Sequence, residues 1–222
     1  MVQTIPAGKL KLPELMQRFK LERSDDAHFF QEWQTDLPEL GQEEQQELDE
    51  IKATYRHLSI YPLLEAVVKV VVLSPLLKLA GFYRAPFYLA AEQGISITSE
   101  DDGVIVQGRI DLLVFQPPFW VTVVEAKQLD YSIEAGIPQL LAYMLDSPNE
   151  NQPTFGFITN GITFRFVKMV TQPVPRYELS DLFAIDRQDD LYQVLRILKR
   201  LAQLVPQQDS GNSNGLRNGV SN

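Results

Sequence analysis

The stretch FWVTVVEAK, Phe119 to Lys127, is an apolar strand that ends on two opposite charges set one residue apart. It follows a second apolar run, VIVQGRIDLLVF, across the turn-forming Gln116-Pro117-Pro118. So short a connection requires the two strands to pair antiparallel. An unpaired ion buried in a sheet costs roughly several kcal/mol, so the charges need a reason to be there. Residues two apart on a strand share a face, which points Glu125 and Lys127 the same way and Ala126 the other. Asp111 precedes Glu125 by 14 residues, and antiparallel pairing brings it level with the end of the strand carrying Glu125. Two carboxylates and an ammonium are thereby expected to converge.

The rest of the chain supplies the cover for such a sheet. The segment LPELGQEEQQELDEIKATYRHL is read as a helix starting near Gly41, and YPLLEAVVKVVVLSPLLKLAGF as a buried helix bent or broken at Pro75. FYLAAEQGISIT has strand character, as a strand pair or one curved strand, and SIEAGIPQLLAYML has helical character. TFGFITNGITFRFVKMV is a hairpin turning at Asn160-Gly161, a further strand is expected near RYELSDLF, and DRQDDLYQVLRILKRLAQLV closes the fold as an amphipathic helix. The fold class is α/β (α+β), with a mixed central sheet flanked by helices. Residues 1–60 are expected to form an amino-terminal helical extension, 61–205 the central domain, and 206–222, low in hydrophobics, a disordered tail.

Paired carboxylates repel unless a positive charge lies between them, and hard oxygen donors suit Mg²⁺ or Mn²⁺. Such a metal lowers the pKa of a bound water and steadies charge on a phosphate, the chemistry of phosphodiester hydrolysis. At GRIDLLVF (Asp111) followed by VVEAK (Glu125, Lys127), the sequence resembles the PD-(D/E)xK nuclease superfamily, and in particular the amino-terminal nuclease domain of type I restriction enzyme R subunits. That family carries a further Gln-x-x-x-Tyr motif on a helix, and PQLLAY supplies Gln139 and Tyr143, four apart on one helical face. The resemblance runs from about Glu65 to Lys168 and implies a restriction-endonuclease-like core. It implies that Asp111 and Glu125 bind metal with the backbone carbonyl of Ala126, and that Lys127 serves the attacking water. Gln139 and Tyr143 would steady DNA or the catalytic lysine. Glu65 matches an additional acidic residue of many members, with Glu92 as the alternative.

Spacing alone is weak evidence, since Asp36, Glu50 and Lys52 repeat it within a helical stretch, where residues two apart cannot share a site. The Asp111 set differs by its context of two apolar strands, a short turn and a following helix. The histidines, His28 and His57, have no acidic frame for a triad, and Trp33 and Trp120 read as packing residues. Arg109 and Lys168 are secondary candidates for phosphate contact.

The sequence departs from complete R subunits in two respects. It holds no Gly-x-x-x-x-Gly-Lys-Ser/Thr loop, so no ATP site or motor is expected in this chain, and Ile110 stands where the superfamily name has proline. The chain of 222 residues contains no cysteine, which excludes disulfides, thiolate nucleophiles and zinc–sulfur sites. Its net charge of −9 has the wrong sign for binding nucleic acid through a broadly basic surface. Without a signal-peptide core or an uninterrupted membrane-length tract, a soluble cytoplasmic protein is expected. The expected partners are DNA, helicase or specificity subunits acting in trans, and a second copy in a homodimer. The alternative to a nuclease is a catalytically silent binding or regulatory subunit of the same fold, with the polar helices at 36–57 as its contact surface.

Overall fold

Strand periodicity from residue 88 onward produces a sheet, and the apolar helical stretches on either side of it cover both faces. The computed structural model describes residues 3–99, 103–117, 119–126, 131–149 and 152–204. In chain order, β1 (Thr4–Pro6) precedes α1 (Leu12–Phe19), β2 (Glu22–Arg23), α2 (Gln42–Leu58), α3 (Glu65–Val68), a π-helical turn (Lys69–Leu73) and α4 (Ser74–Leu79). There follow β3 (Tyr88–Thr98), β4 (Ile105–Gln116), β5 (Phe119–Ala126), α5 (Ile133–Leu145), β6 (Thr154–Thr159) and β7 (Thr163–Val170). The described part closes with β8 (Arg176–Leu179), β9 (Phe183–Ala184) and α6 (Asp190–Gln203).

The expected α/β class is the one the chain adopts. The mixed sheet runs β1-β4-β5-β6-β7-β8-β2, with β3 also on β4 and β9 on β7. β4 and β5 pair antiparallel across their short connection, whereas β5 and β6 are parallel, joined by the α5 crossover. The β6–β7 hairpin turns at Gly161, whose φ of 87° suits a residue without Cβ. FYLAAEQGISIT forms one strand, and the expected strand near residue 180 is split into β8 and β9.

Each face of the sheet has its own core. Leu48, Val68, Leu76, Phe157 and Leu195 belong to the core under α2, α3, α4 and α6, and Leu15, Ile110, Leu140 and Met144 to the core under α1 and α5. Each such side chain, fully buried, contributes about 1.5–3 kcal/mol.

The amino-terminal segment departs from the expected helical extension. β1 pairs parallel with β4, β2 pairs parallel with β8, and Leu15 and Leu21 lie in the core beside α5. Strands of two or three residues carry no readable period, and their partners lie far along the sequence. The polar α2 does start at Gly41, whose N–H donates to the Glu44 carboxylate at 2.9 Å. Its inner face buries Leu48, Ile51 and Tyr55, and its polar face is tied to α6 by Lys199–Glu44 and Tyr192–Asp49 contacts. Residues 206–222 lie outside the described residues.

Pro75 does not break its helix. It occupies the first turn of α4, where a missing N–H is tolerated, and the irregularity sits just before it as the π-helical turn beginning at Lys69.

Candidate active site

One edge of β4 is shared between two strands. β3 covers residues 105–115 along one side, so β1, which pairs with Ile105 to Gln107, and β5, which pairs with Leu112 to Gln116, meet β4 on the other. Between them, Gly108 to Asp111 face a fork. Continuing the Leu112–Val124 register by one step sets Asp111 opposite Glu125. The sheet is also kinked here. Ile110 belongs to the core under α5, yet Leu112 packs against the core on the other face, although residues two apart share a face in an unbroken strand. The slip falls at Asp111, and the position across from it on β3 is Glu92, with φ of 55°.

The kink turns the Asp111 side chain toward two partners. Its Oδ2 accepts a hydrogen bond from the backbone N–H of Ala126 at 2.8 Å, and its Oδ1 accepts one from Lys69 Nζ at 2.9 Å. Lys69 also pairs with Glu65 Oε1 at 2.7 Å, one helical turn before it. Glu65 and Asp111 therefore share one ammonium. Burial opposes the Lys69 charge, but the hydrogen bonds to Glu65 and Asp111 outweigh it and raise its pKa. Glu125 is only 2 % exposed, and Ala126 beside it is buried.

Gln139 and Tyr143 approach the fork from α5, where Gln139 donates a hydrogen bond to the Tyr143 hydroxyl. The ring of Tyr143 lies on Gly108: a Cβ there would stand 2.6 Å from Tyr143 Cε1 and 3.0 Å from Ala7 Cβ. Burial pushes the Tyr143 phenol up to about 12, the negative charge of Glu125 adds to the rise, and Asp111 adds a smaller share. The hydroxyl is thus neutral at ordinary pH and accepts the Gln139 hydrogen bond in the field of both carboxylates.

Asp111, Glu125, Ala126, Gln139 and Tyr143 are accordingly gathered at one fork, with Glu65 joined to Asp111 through Lys69. Lys127 lies outside the described residues. Glu92 is exposed. The secondary candidates behave differently: Lys168 pairs with Glu32 and sits over the Phe29 ring, and Arg109 is exposed on β4. His28 hydrogen-bonds within its own loop, to Asp26 and Gln31. Sequence reasoning missed Lys69. Its signal was present, a lysine interrupting an apolar helix four residues after a glutamate. Among the described residues, no three acidic or histidine side chains gather as a metal cage. Among the described residues, the carboxylates that could contribute oxygens to a cation at this fork are Asp111 and Glu125, with Glu65 near the former. No described helix is long and apolar enough to cross a membrane.

No protein-family model matches the sequence, and no curated protein matches it. Among solved structures, the chain is similar to a fragment assigned as an HsdR subunit of a type I restriction enzyme from Vibrio vulnificus YJ016, at 22% identity and a TM-score of 0.37. The match covers 60% of this chain and 25% of that one, so the chain spans about a quarter of the neighbour's length.

Proposed function

We propose that this chain is a metal-dependent nuclease, a DNA endonuclease similar to type I restriction R subunits but with no ATP site in the sequence. What supports it best is that the β4–β5 register, continued one step beyond Leu112–Val124, sets Asp111 opposite Glu125, beside a Tyr143 hydroxyl that is neutral at ordinary pH. Magnesium keeps most of its waters and borrows only one or two protein carboxylates, so two acids are a sufficient donor set without a cage. The Lys69 ammonium against Asp111 marks the same spot as one that stabilises positive charge.

In this reading Asp111 and Glu125, with the carbonyl of Ala126, hold Mg²⁺ or Mn²⁺, and Glu65 is a reserve donor. The bound cation lowers the pKa of a coordinated water and offsets phosphate charge. Lys127 orients or helps deprotonate that water. Tyr143, protonated throughout the physiological range, donates a hydrogen bond, and Gln139 holds its hydroxyl in place. Partners in this reading are DNA, helicase or specificity subunits in trans, and a second copy of the chain, in the cytoplasm.

Purified protein with Mg²⁺ or Mn²⁺ should nick supercoiled plasmid, and Lys127→Ala or Asp111→Asn should slow nicking by about a hundredfold or more. Equal rates for wild type and Lys127→Ala would end the enzyme reading. A second reading, a catalytically silent binding subunit, is favoured by the Lys69 ammonium holding Glu65 and Asp111 where a metal would sit. It predicts no cleavage of any DNA form with either metal. The polar surface at 36–57 is less available for partner contact, because the Lys199–Glu44 and Arg200–Asp36 ion pairs to α6 engage part of it.

A further inference from the structure

We propose that Lys69 is a built-in cation that a divalent metal must displace, so that metal binding and release of the Lys69 ammonium from Asp111 are one event. The inference rests on the proposed function, because it needs a metal held by Asp111.

The geometry carries it. Lys69 Nζ lies 2.7 Å from Glu65 Oε1 and 2.9 Å from Asp111 Oδ1, while the other Asp111 oxygen accepts the Ala126 N–H. Both oxygens of Asp111 are thus engaged, and a divalent cation bound to either would face the Lys69 ammonium at close range, where like charges repel. The backbone hydrogen bond belongs to the sheet fork and has no freedom to leave without moving β5. The lysine is different: it hangs on four rotatable bonds, and its side chain is 29% exposed. It also springs from the first residue of the π-helical turn that follows α3. The weaker hold is therefore the ammonium.

The same contact has a second role. Glu65 and Asp111 approach a common point within 3 Å of one nitrogen, and their like charges repel without it. Lys69 keeps the acids assembled before metal arrives, at the expense of affinity once it does. A neutral side chain at 69 leaves the acids unneutralised and gives the metal no competitor.

The test is Mn²⁺ binding, read by calorimetry on wild type, Lys69→Met and Asp111→Asn. Lys69→Met should bind Mn²⁺ at least tenfold tighter, and its lowered melting temperature should return toward wild type as Mn²⁺ saturates. Lys69→Gln reads the same quantity should the methionine variant not fold. On wild type alone, Mg²⁺ should raise acylation of Lys69 by an amine-reactive reagent, followed by peptide mass spectrometry. Unchanged or weaker Mn²⁺ binding in the Lys69 variants, or Lys69 acylation indifferent to Mg²⁺, overturns the inference while leaving the metal site standing. Metal binding that survives Asp111→Asn overturns both, because the cation then sits elsewhere.

Discussion

Asp111 on β4 accepts a hydrogen bond from the backbone N–H of Ala126 on β5, and so closes the fork at which the two strands part. A side chain stands there in place of the next ladder bond. The carboxylate therefore has a structural duty as well as the proposed chemical one, and the two can be separated by experiment.

Asp111→Asn retains an oxygen for the Ala126 N–H but removes the charge that Lys69 faces. It should lower stability by about 1–3 kcal/mol, the usual range for a half-buried charge that loses its hydrogen-bonded partner. Urea denaturation checks the loss. Combining it with Lys69→Met should recover part of it, since the stranded ammonium is then gone.

Two glycines make a graded pair. Gly108→Ala places a methyl 2.6 Å from the ring of Tyr143, a rigid neighbour with the Ala7 Cβ just beyond, and should cost about 1–3 kcal/mol. Gly156→Ala meets Met144 Sδ at 2.7 Å, the flexible end of a side chain, with Leu140 carbons at 3.0 Å and beyond, and should cost less. Thermal melts of the two variants rank them, and the reverse order would mean that the Tyr143 ring is freer than its packing implies.

Tyr143 imposes an alkaline limit. Its folded-state pKa of about 12 lies above the ordinary value of 10, so the neutral phenol is the form that folding favours. Stability from this source is fully present below about pH 10 and is lost as the pH rises toward 12. Tyr143→Phe should flatten that part of the pH–stability curve. Tyr192, raised also to about 12 by its hydrogen bond to Asp49, contributes separately, and Tyr192→Phe is the control.

Glu92 stores strain opposite Asp111. Its φ of 55° is unfavourable for a residue with a Cβ, by about 1–2 kcal/mol. Glu92→Gly should therefore raise stability by about 1 kcal/mol, as read by chemical denaturation. If plasmid nicking falls at the same time, the exposed carboxylate takes part in the proposed site, and if it is unchanged the strain serves only the kink.

Local pattern was enough to place much of the fold. Two apolar strands joined by a short turn dictate antiparallel pairing, and β4 and β5 pair that way, in a register that runs on toward Asp111 and Glu125. A four-residue helical spacing likewise put Gln139 and Tyr143 on one face, and Gly41 marked the start of α2. These features depend on neighbours a few residues away, where steric and hydrogen-bonding rules act directly on the chain. Only the tertiary structure decided that β1 and β2 join the sheet rather than a helical extension, and that β1 shares an edge of β4 with β5 to open the fork. It alone brought Lys69 between Glu65 and Asp111. Each of those outcomes joins segments tens to more than a hundred residues apart, where the free energy comes from burial and charge pairing across the fold and leaves no period in the sequence.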